Sequence, residues 1–479
     1  MTPQFDTDRW AARRRPFDRL EARVVQLHLE RPDADAEPVV EALRYALSFA
    51  RLTHVRNRDG LDVDLTGPMA LHAQAVRDTL EERLQNTDSL WASVRVLPEL
   101  LQRTRRARSS VLEHLPLDRD SLENEVTTRL LAVASGGGGG AGYVYPGAYD
   151  VLDRSGLVPD MMVGTSIGSL MSMFRCRRSR YDFAALVAAA RRLTWTKIFR
   201  ILETANRYGV PATLRLYLRG ALGSLFLDDD GEPMRMSQMR IPLFIIATGL
   251  TVEALKHDMN YYEHLLDDDV ARQRGSGLGL RGTVKAVRML RELLGQQDAL
   301  QQVVLGRDPG TEEFDVLDAA GFSSAVPGVI HYDVLRDDPH MYRVLDSLYS
   351  ARGITRLGEG GLVSNVPARV AWESVVSGRW QRRNVFVLAL DCFAPSPRNP
   401  AWYPMQQAVR SANVDRDRQF ADLYVPMTHT LSPMNLVPKV KDAMTAMRWG
   451  REQLRPHMPF VRAMCAPIPV LRDHPVAQP

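Results

Sequence analysis

The most constraining stretch of this chain runs from Arg129 to Phe174. It opens with RLLAVAS, meets the glycine run GGGGGAG, and continues through YPGAYDVLDRSGL. It then repeats the scheme with DMMV, GTSIG and SLMSMF. An apolar run of strand length, a glycine turn and a helical segment, twice over, predict strand–turn–helix–strand–turn–helix. Two strands joined through a helix lie parallel, because a crossover must return the chain to the end of the sheet where it began. The fold class is therefore α/β with a mostly parallel sheet. LFIIAT and VFVLAL, further on, have the length and composition of additional core strands.

The flanks read differently. Residues 1–127 are predicted as a helical region, because PVVEALRYALSFARL and ALHAQAVRDTLEERL place apolar residues three and four apart. No chemistry-bearing cluster appears there, which suits an accessory region or a docking site for a protein partner over 1–125. The α/β domain is expected over 128–400, with helical insertions around 182–226 and 256–313, the second including a helix over 283–303. The polar, proline-containing stretch 397–416 reads as a loop. Residues 401–479 then carry a helix, VKDAMTAMRWGREQL, onto the core. At 479 residues, 45% hydrophobic and 25% charged, the chain can bury a large core. A net charge of +4 is too small to point to nucleic acid. Cys176, Cys392 and Cys465 are too sparse for a disulfide framework or a metal site and fit a reducing compartment. The N-terminus has no apolar signal-peptide core and no apolar run reaches membrane-span length, so a cytoplasmic protein is expected.

Three motifs carry chemistry. GTSIG, Gly164 to Gly168, is a G-x-S-x-G between a strand and a helix, the setting of a nucleophile elbow. It puts the Ser166 hydroxyl at the carboxyl end of the sheet, with flanking glycines relieving the sharp turn. The run Gly136 to Gly140, followed by Ala141 and Gly142, lies between a strand and a helix. Its backbone N–H groups suit an anion, either a phosphate or a tetrahedral oxyanion. LGEGGLVSNVP, Leu357 to Pro367, holds one carboxylate, Glu359, in a glycine turn; a serine nucleophile needs a base, although a solvated turn acid is the commoner fate.

In this order, SGGGGGAG, VGTSIG and GEGGLVSNVP resemble the patatin-like phospholipase family. IPLFIIATGLT and GFSSAVPGVI are similar to its intervening segments, and the likeness covers roughly 128 to 395. The resemblance implies a three-layer α/β/α fold and a serine–carboxylate dyad that hydrolyses lipid or acyl esters without metal or cofactor. Ser166 matches the nucleophile. Glu359 stands where the family carries Asp, with Gly360 and Gly361 behind it, and Asn365 and Pro367 match the N-x-P that follows. Gly137, Gly138, Gly139 and Gly142 match the glycines of the oxyanion loop, with Gly164 and Gly168 framing the elbow. Two departures stand out: Ala141 replaces a basic residue, and Glu359 is one methylene longer than Asp. The longer acid raises an alternative, a catalytically impaired relative that binds lipid or protein.

Other patterns compete. Ser166, Asp391 and His429 follow the order of an α/β-hydrolase triad. GLGLRG at 277–282 fits G-x-G-x-x-G but follows no strand. DDDG at 228–231 lacks the remaining ligands of a calcium loop, and DDD at 267–269 reads as a solvated patch. RCRRSRYDFAALVAAARRLTWTKIFR, 175–200, combines clustered bases with Trp195 and Phe199. It reads as a solvated helical face or, more sharply, as a peripheral contact with anionic lipid through Arg177, Arg178 and Arg180.

Overall fold

The computed structural model describes residues 6–85, 89–201, 207–210, 212–251, 300–398, 400 and 402–473. The expectations for 256–299, including GLGLRG and the acidic run at 267–269, lie outside the described residues.

The centre is a seven-stranded sheet. Its strands are β1 (Leu130–Ser135), β2 (Met161–Thr165), β3 (Leu243–Leu250), β4 (Leu300–Leu305), β5 (Arg356–Gly358), β6 (Val385–Asp391) and β7 (Leu423–Pro426). β7, β6, β1, β2 and β3 lie side by side, all parallel, while β4 and β5 run antiparallel to β3. β1 shows why the sheet is covered on both faces. Its alternate residues Leu131 and Val133 join one apolar cluster, and Leu130, Ala132 and Ala134 join another. Helices Tyr145–Arg154 and Val440–Leu454 supply Tyr149, Leu152 and Met447 to the first face. Helix Ala368–Val376 supplies Val370, Trp372 and Val375 to the second. The result is the three-layer α/β/α fold, with a helical extension in front.

That extension comprises α1 (Thr7–Glu30), α2 (Glu37–Ala50), α3 (Ala70–Gln85), α4 (Leu97–His114) and α5 (Arg119–Thr127), with a small hairpin at 54–64. A buried ionic network fastens it to the sheet. Glu21 pairs with Arg44, Arg51 and Arg129, while Asp18 pairs with Arg51 and Arg15. Arg15 also reaches Asp422 at 2.7 Å, beside β7. Arg51 and Arg129 both donate to Asn384 Oδ1, at the entry to β6.

Three expectations need correction. The segment 182–226 is only partly helical. It contributes strands Phe199–Ile201 and Ala212–Leu216 to a second sheet with Gly328–His331, because pairing overrides the weak helical periodicity there. Residues 300–303 belong to β4, paired with β3, and not to a helix. The expected loop at 397–416 contains a helix, Tyr403–Val409, a π-helical turn, Arg410–Val414, and a last turn, Asp415–Arg418. Pro404 sits in the first turn, where a helix tolerates it. The buried side of this segment is largely polar, through Gln406, Asn413 and Asp417, so no apolar stripe marked it as helical.

Candidate active site

The register of β3 brings the two key side chains together. β2 pairs with β3 up to Thr165 opposite Ile246, and β5 pairs with it up to Gly358 opposite Thr248. β4 occupies the other edge of β3 from Ile245 to Leu250. β2 and β5 therefore share one edge and meet end to end, since a strand has only two edges. One more residue of either would fall opposite Ala247. Both strands must leave the sheet there, and the residues at which they leave are Ser166 and Glu359.

Ser166 takes φ 53° and ψ −126°, the only positive φ outside glycine among the described residues. That strained turn is held from behind. The Ser166 N–H donates to Ser323 Oγ at 2.8 Å, and Ser323 donates to the Ile246 carbonyl at 2.5 Å. Ser323 belongs to GFSSAVPGVI, whose wording gave no sign of this role. A Cβ at Gly168 would fall 2.1 Å from the Ser135 carbonyl oxygen, and one at Gly164 2.5 Å from Ser169 Cα, so both positions exclude side chains. The helix Ile167–Cys176 starts directly after Ser166 and directs its positive end toward the hydroxyl.

Glu359 is buried and accepts from Ser166 Oγ at 3.0 Å through Oε2. Its Oε1 accepts the Gly361 N–H at 3.1 Å. Its backbone is fixed on both sides: the N–H donates to Ala325 O at 2.9 Å, and the carbonyl accepts from Thr248 Oγ1 at 2.6 Å. Gly360 lies so close to β3 that a Cβ would be 2.2 Å from the Ile246 oxygen. The Glu359 side chain thus reaches Ser166 from a turn anchored to the sheet. Burial raises the Glu359 carboxyl to about 7, against the smaller opposing effects of the Gly361 N–H and the Ser166 hydroxyl.

The glycine loop passes beside this pair. Gly137 donates its N–H to Asn365 O at 3.1 Å, and Gly140 to Pro433 O at 2.8 Å. Between them, the N–H groups of Gly138 and Gly139 have no partner among the described residues. Both glycines take positive φ, 155° and 54°, and a Cβ on Gly139 would lie 2.4 Å from Pro433 O. Gly142 lies in the short helix Gly139–Val144, where an added Cβ would be 2.5 Å from Ile167.

Ser166, Glu359, Gly138 and Gly139 line one cavity of about 280 Å3. Its walls are apolar, with Leu170, Phe174, Leu186, Phe199, Leu222 and Val329 among them. A buried hydroxyl–carboxylate pair and two free N–H donors therefore face a space suited to a hydrocarbon chain.

The competing trio does not assemble. Asp391 accepts from the Tyr424 hydroxyl and the Phe393 N–H, while the His429 ring stacks on Trp449 at 3.9 Å. No hydrogen bond among the described residues joins either to Ser166. Asp228 of DDDG spends one carboxylate oxygen on the N–H groups of Asp230 and Glu232.

The basic stretch divides in two. Arg175 is buried against the Arg178 and Ser179 carbonyls, and Arg177 and Arg178 pair with Asp182. Arg191, Arg192, Lys197 and Arg200 are exposed around Trp195, and no ion pair ties them to an acid among the described residues. None of the described helices is long and apolar enough to cross a membrane.

No curated protein matches the chain. A family model does: patatin-like phospholipase, over residues 133–372, or 240 of the 479 residues. That span runs from β1 through the glycine loop, the Ser166 elbow and the Glu359 turn to Trp372, and with it the chain belongs to the patatin-like phospholipase family of lipid acyl hydrolases.

Proposed function

We propose that this chain hydrolyses acyl esters of lipids with a Ser166–Glu359 dyad. The 3.0 Å hydrogen bond between the two, at the wall of an apolar cavity, carries this reading. In the ionised state Glu359 takes the Ser166 proton as Oγ bonds to the ester carbonyl carbon. The oxyanion that forms receives the N–H groups of Gly138 and Gly139, which need not break an existing bond to donate. Gly137 and Gly142 then shape the loop without donating. Collapse of the intermediate breaks the bond to the alcohol, which leaves with the proton from Glu359. Water, deprotonated by the same carboxylate, releases the fatty acid and restores the serine. The acyl chain lies in the cavity throughout. This use of Glu in place of Asp is compatible with turnover, because the side chain reaches hydrogen-bond distance without leaving its anchored turn.

A fluorophosphonate probe tests the nucleophile. Wild type is expected to label and Ser166→Ala to lose both label and esterase activity, by about a thousandfold or more in rate. A folded wild type that takes no label would instead favour the impaired, lipid- or protein-binding relative.

We also place the lipid-facing surface on 183–200, shifted from the arginines at 177–180. Leu186, Ala189, Leu193 and Phe199 line the cavity from within, while Arg191, Arg192, Lys197 and Arg200 surround Trp195 outside. Such a wall attracts anionic headgroups and lets an aromatic side chain enter the interface. Binding to phosphatidylglycerol vesicles is expected to fall with salt and to drop several-fold in Arg191→Glu/Arg192→Glu/Lys197→Glu. Unchanged binding removes the assignment. For residues 1–127 we propose a part in holding the sheet, through Glu21 and Asp18, in preference to a separate docking domain.

A further inference from the structure

The Glu359 turn is held from outside the matched family span. Asn413 lies in the π-helical turn Arg410–Val414 and is fully buried. Its Oδ1 accepts the Asn365 N–H at 2.9 Å. Its Nδ2 donates to Gly361 O at 3.0 Å, with Leu362 O further off at 3.5 Å. One amide side chain therefore grips both ends of the Gly361–Asn365 turn, and Gly361 is the residue whose N–H binds the Glu359 carboxylate. Four residues on, Asp417 lies on the same helix face and accepts from Ser364 Oγ at 2.6 Å. The Ser364 carbonyl accepts from Thr165 Oγ1 at 2.9 Å, next to the nucleophile. A π-turn inserts one residue into a helix and reorients the side chains around it, a device that recurs at functional sites. Here it directs a polar side chain into a place where an apolar one would leave two carbonyls and an N–H unpaired.

We infer that Asn413 is a positioning residue for the ester hydrolysis, setting the distance and direction of the Glu359 carboxylate through Gly361 and Asn365. The inference rests on the Ser166–Glu359 reading. Asn413 touches neither substrate nor the reacting atoms, so its loss acts through the placement of Glu359. A misplacement of about 1 Å costs on the order of a hundredfold in rate.

The test uses the full chain with p-nitrophenyl butyrate, a soluble ester that needs no membrane. Asn413→Ala is expected to lower kcat at least tenfold, with KM changed less than about twofold. Asn413→Asp gives a second, sharper readout. As a neutral acid it still accepts from Asn365 and donates to Gly361. Once ionised it faces two carbonyls as an anion. Charged groups near it are Asp417 and Arg416 on its own segment, Arg369 on the helix Ala368–Val376 packed against it, and Glu359 across the turn. Its kcat/KM is expected to turn down with rising pH above the range where wild type climbs, giving a bell in place of a plateau. Asp415→Ala, on the exposed side of the same helix, is expected to match wild type. A folded Asn413→Ala with wild-type kcat, or an Asn413→Asp with the wild-type pH profile, overturns the inference. If Asn413→Ala does not fold, the Asn413→Asp profile alone decides. An inactive wild type, or an active Ser166→Ala, sinks the dyad reading and this inference together. Active wild type, dead Ser166→Ala and normal Asn413 variants sink only this inference.

Discussion

Glu359 and Glu21 are both buried glutamates, yet the protein treats them in opposite ways. Glu359 sits beside a serine hydroxyl and one backbone N–H, with no cation among its described partners, and burial raises its carboxyl to about 7. Burial would raise Glu21 as well, but Arg129, Arg51 and Arg44 together hold it below its ordinary value. The same side chain is poised to gain or lose a proton near neutral pH in one place and is held as an anion in the other. Neighbouring charge, and not burial, decides which. If the proposed dyad holds, Glu21 serves stability and Glu359 chemistry, and variants should separate the two.

The largest effect is expected in Glu359→Gln, which keeps the shape and removes the base. Esterase activity should fall by about a hundredfold to ten-thousandfold, with a thermal midpoint no lower than wild type. Full activity in that variant would end the dyad reading. Glu21→Ala should do the reverse. It leaves the buried Arg44 and Arg129 without a paired carboxylate and Arg51 with Asp18 alone, and should cost about 3–5 kcal/mol in denaturant unfolding, while activity per folded molecule stays near wild type. A stable Glu21→Ala would mean that the network adds nothing to holding the extension on the sheet.

Glu359→Asp comes next. The anchored turn cannot follow the shorter side chain, so kcat/KM should fall by roughly tenfold to a hundredfold. A gain in activity would mean that the native site is slackened by its extra methylene. The remaining expectations concern pH. Activity should rise with pH through about 7, as Glu359 ionises. Stability should move oppositely. Between about 4.5 and 7 the folded chain keeps a proton on Glu359 that the unfolded chain has released. Folding therefore weakens as pH rises across that window, by roughly 3 kcal/mol. Glu21, lowered in the folded state, contributes above its unfolded value and loses that contribution as pH falls through the folded one. Chemical denaturation at several pH values should show the first slope in wild type and not in Glu359→Gln.

What the sequence made legible is what short local patterns encode. RLLAVAS, DMMV and the two glycine turns predicted the parallel sheet, and GTSIG placed Ser166 at a strand end. The likeness to a family linked it to Glu359. Contacts between distant segments were not legible. Nothing in GFSSAVPGVI shows Ser323 holding the elbow from behind, and nothing in RSANVDRDR shows Asn413 and Asp417 turned inward. Polar side chains that are buried and satisfied leave no apolar stripe, so a periodicity reading takes their helix for a loop. The glycine loop was legible as a donor site, but not which donors are free, since Asn365 alone determines that Gly137 is occupied.

The end-to-end meeting of β2 and β5 has a consequence for how such a protein can vary. Ser166 and Glu359 are separated by nearly two hundred residues, yet their spacing is metered by one strand, from Ile246 to Thr248. β3 works as a ruler. Sequence can be added or removed between its marks and either side chain without moving the other, so long as both strands stop where the ruler says. Insertions are then tolerated in the intervening stretches, while a single-residue slip of β5 along β3 would carry the carboxylate out of reach of the hydroxyl.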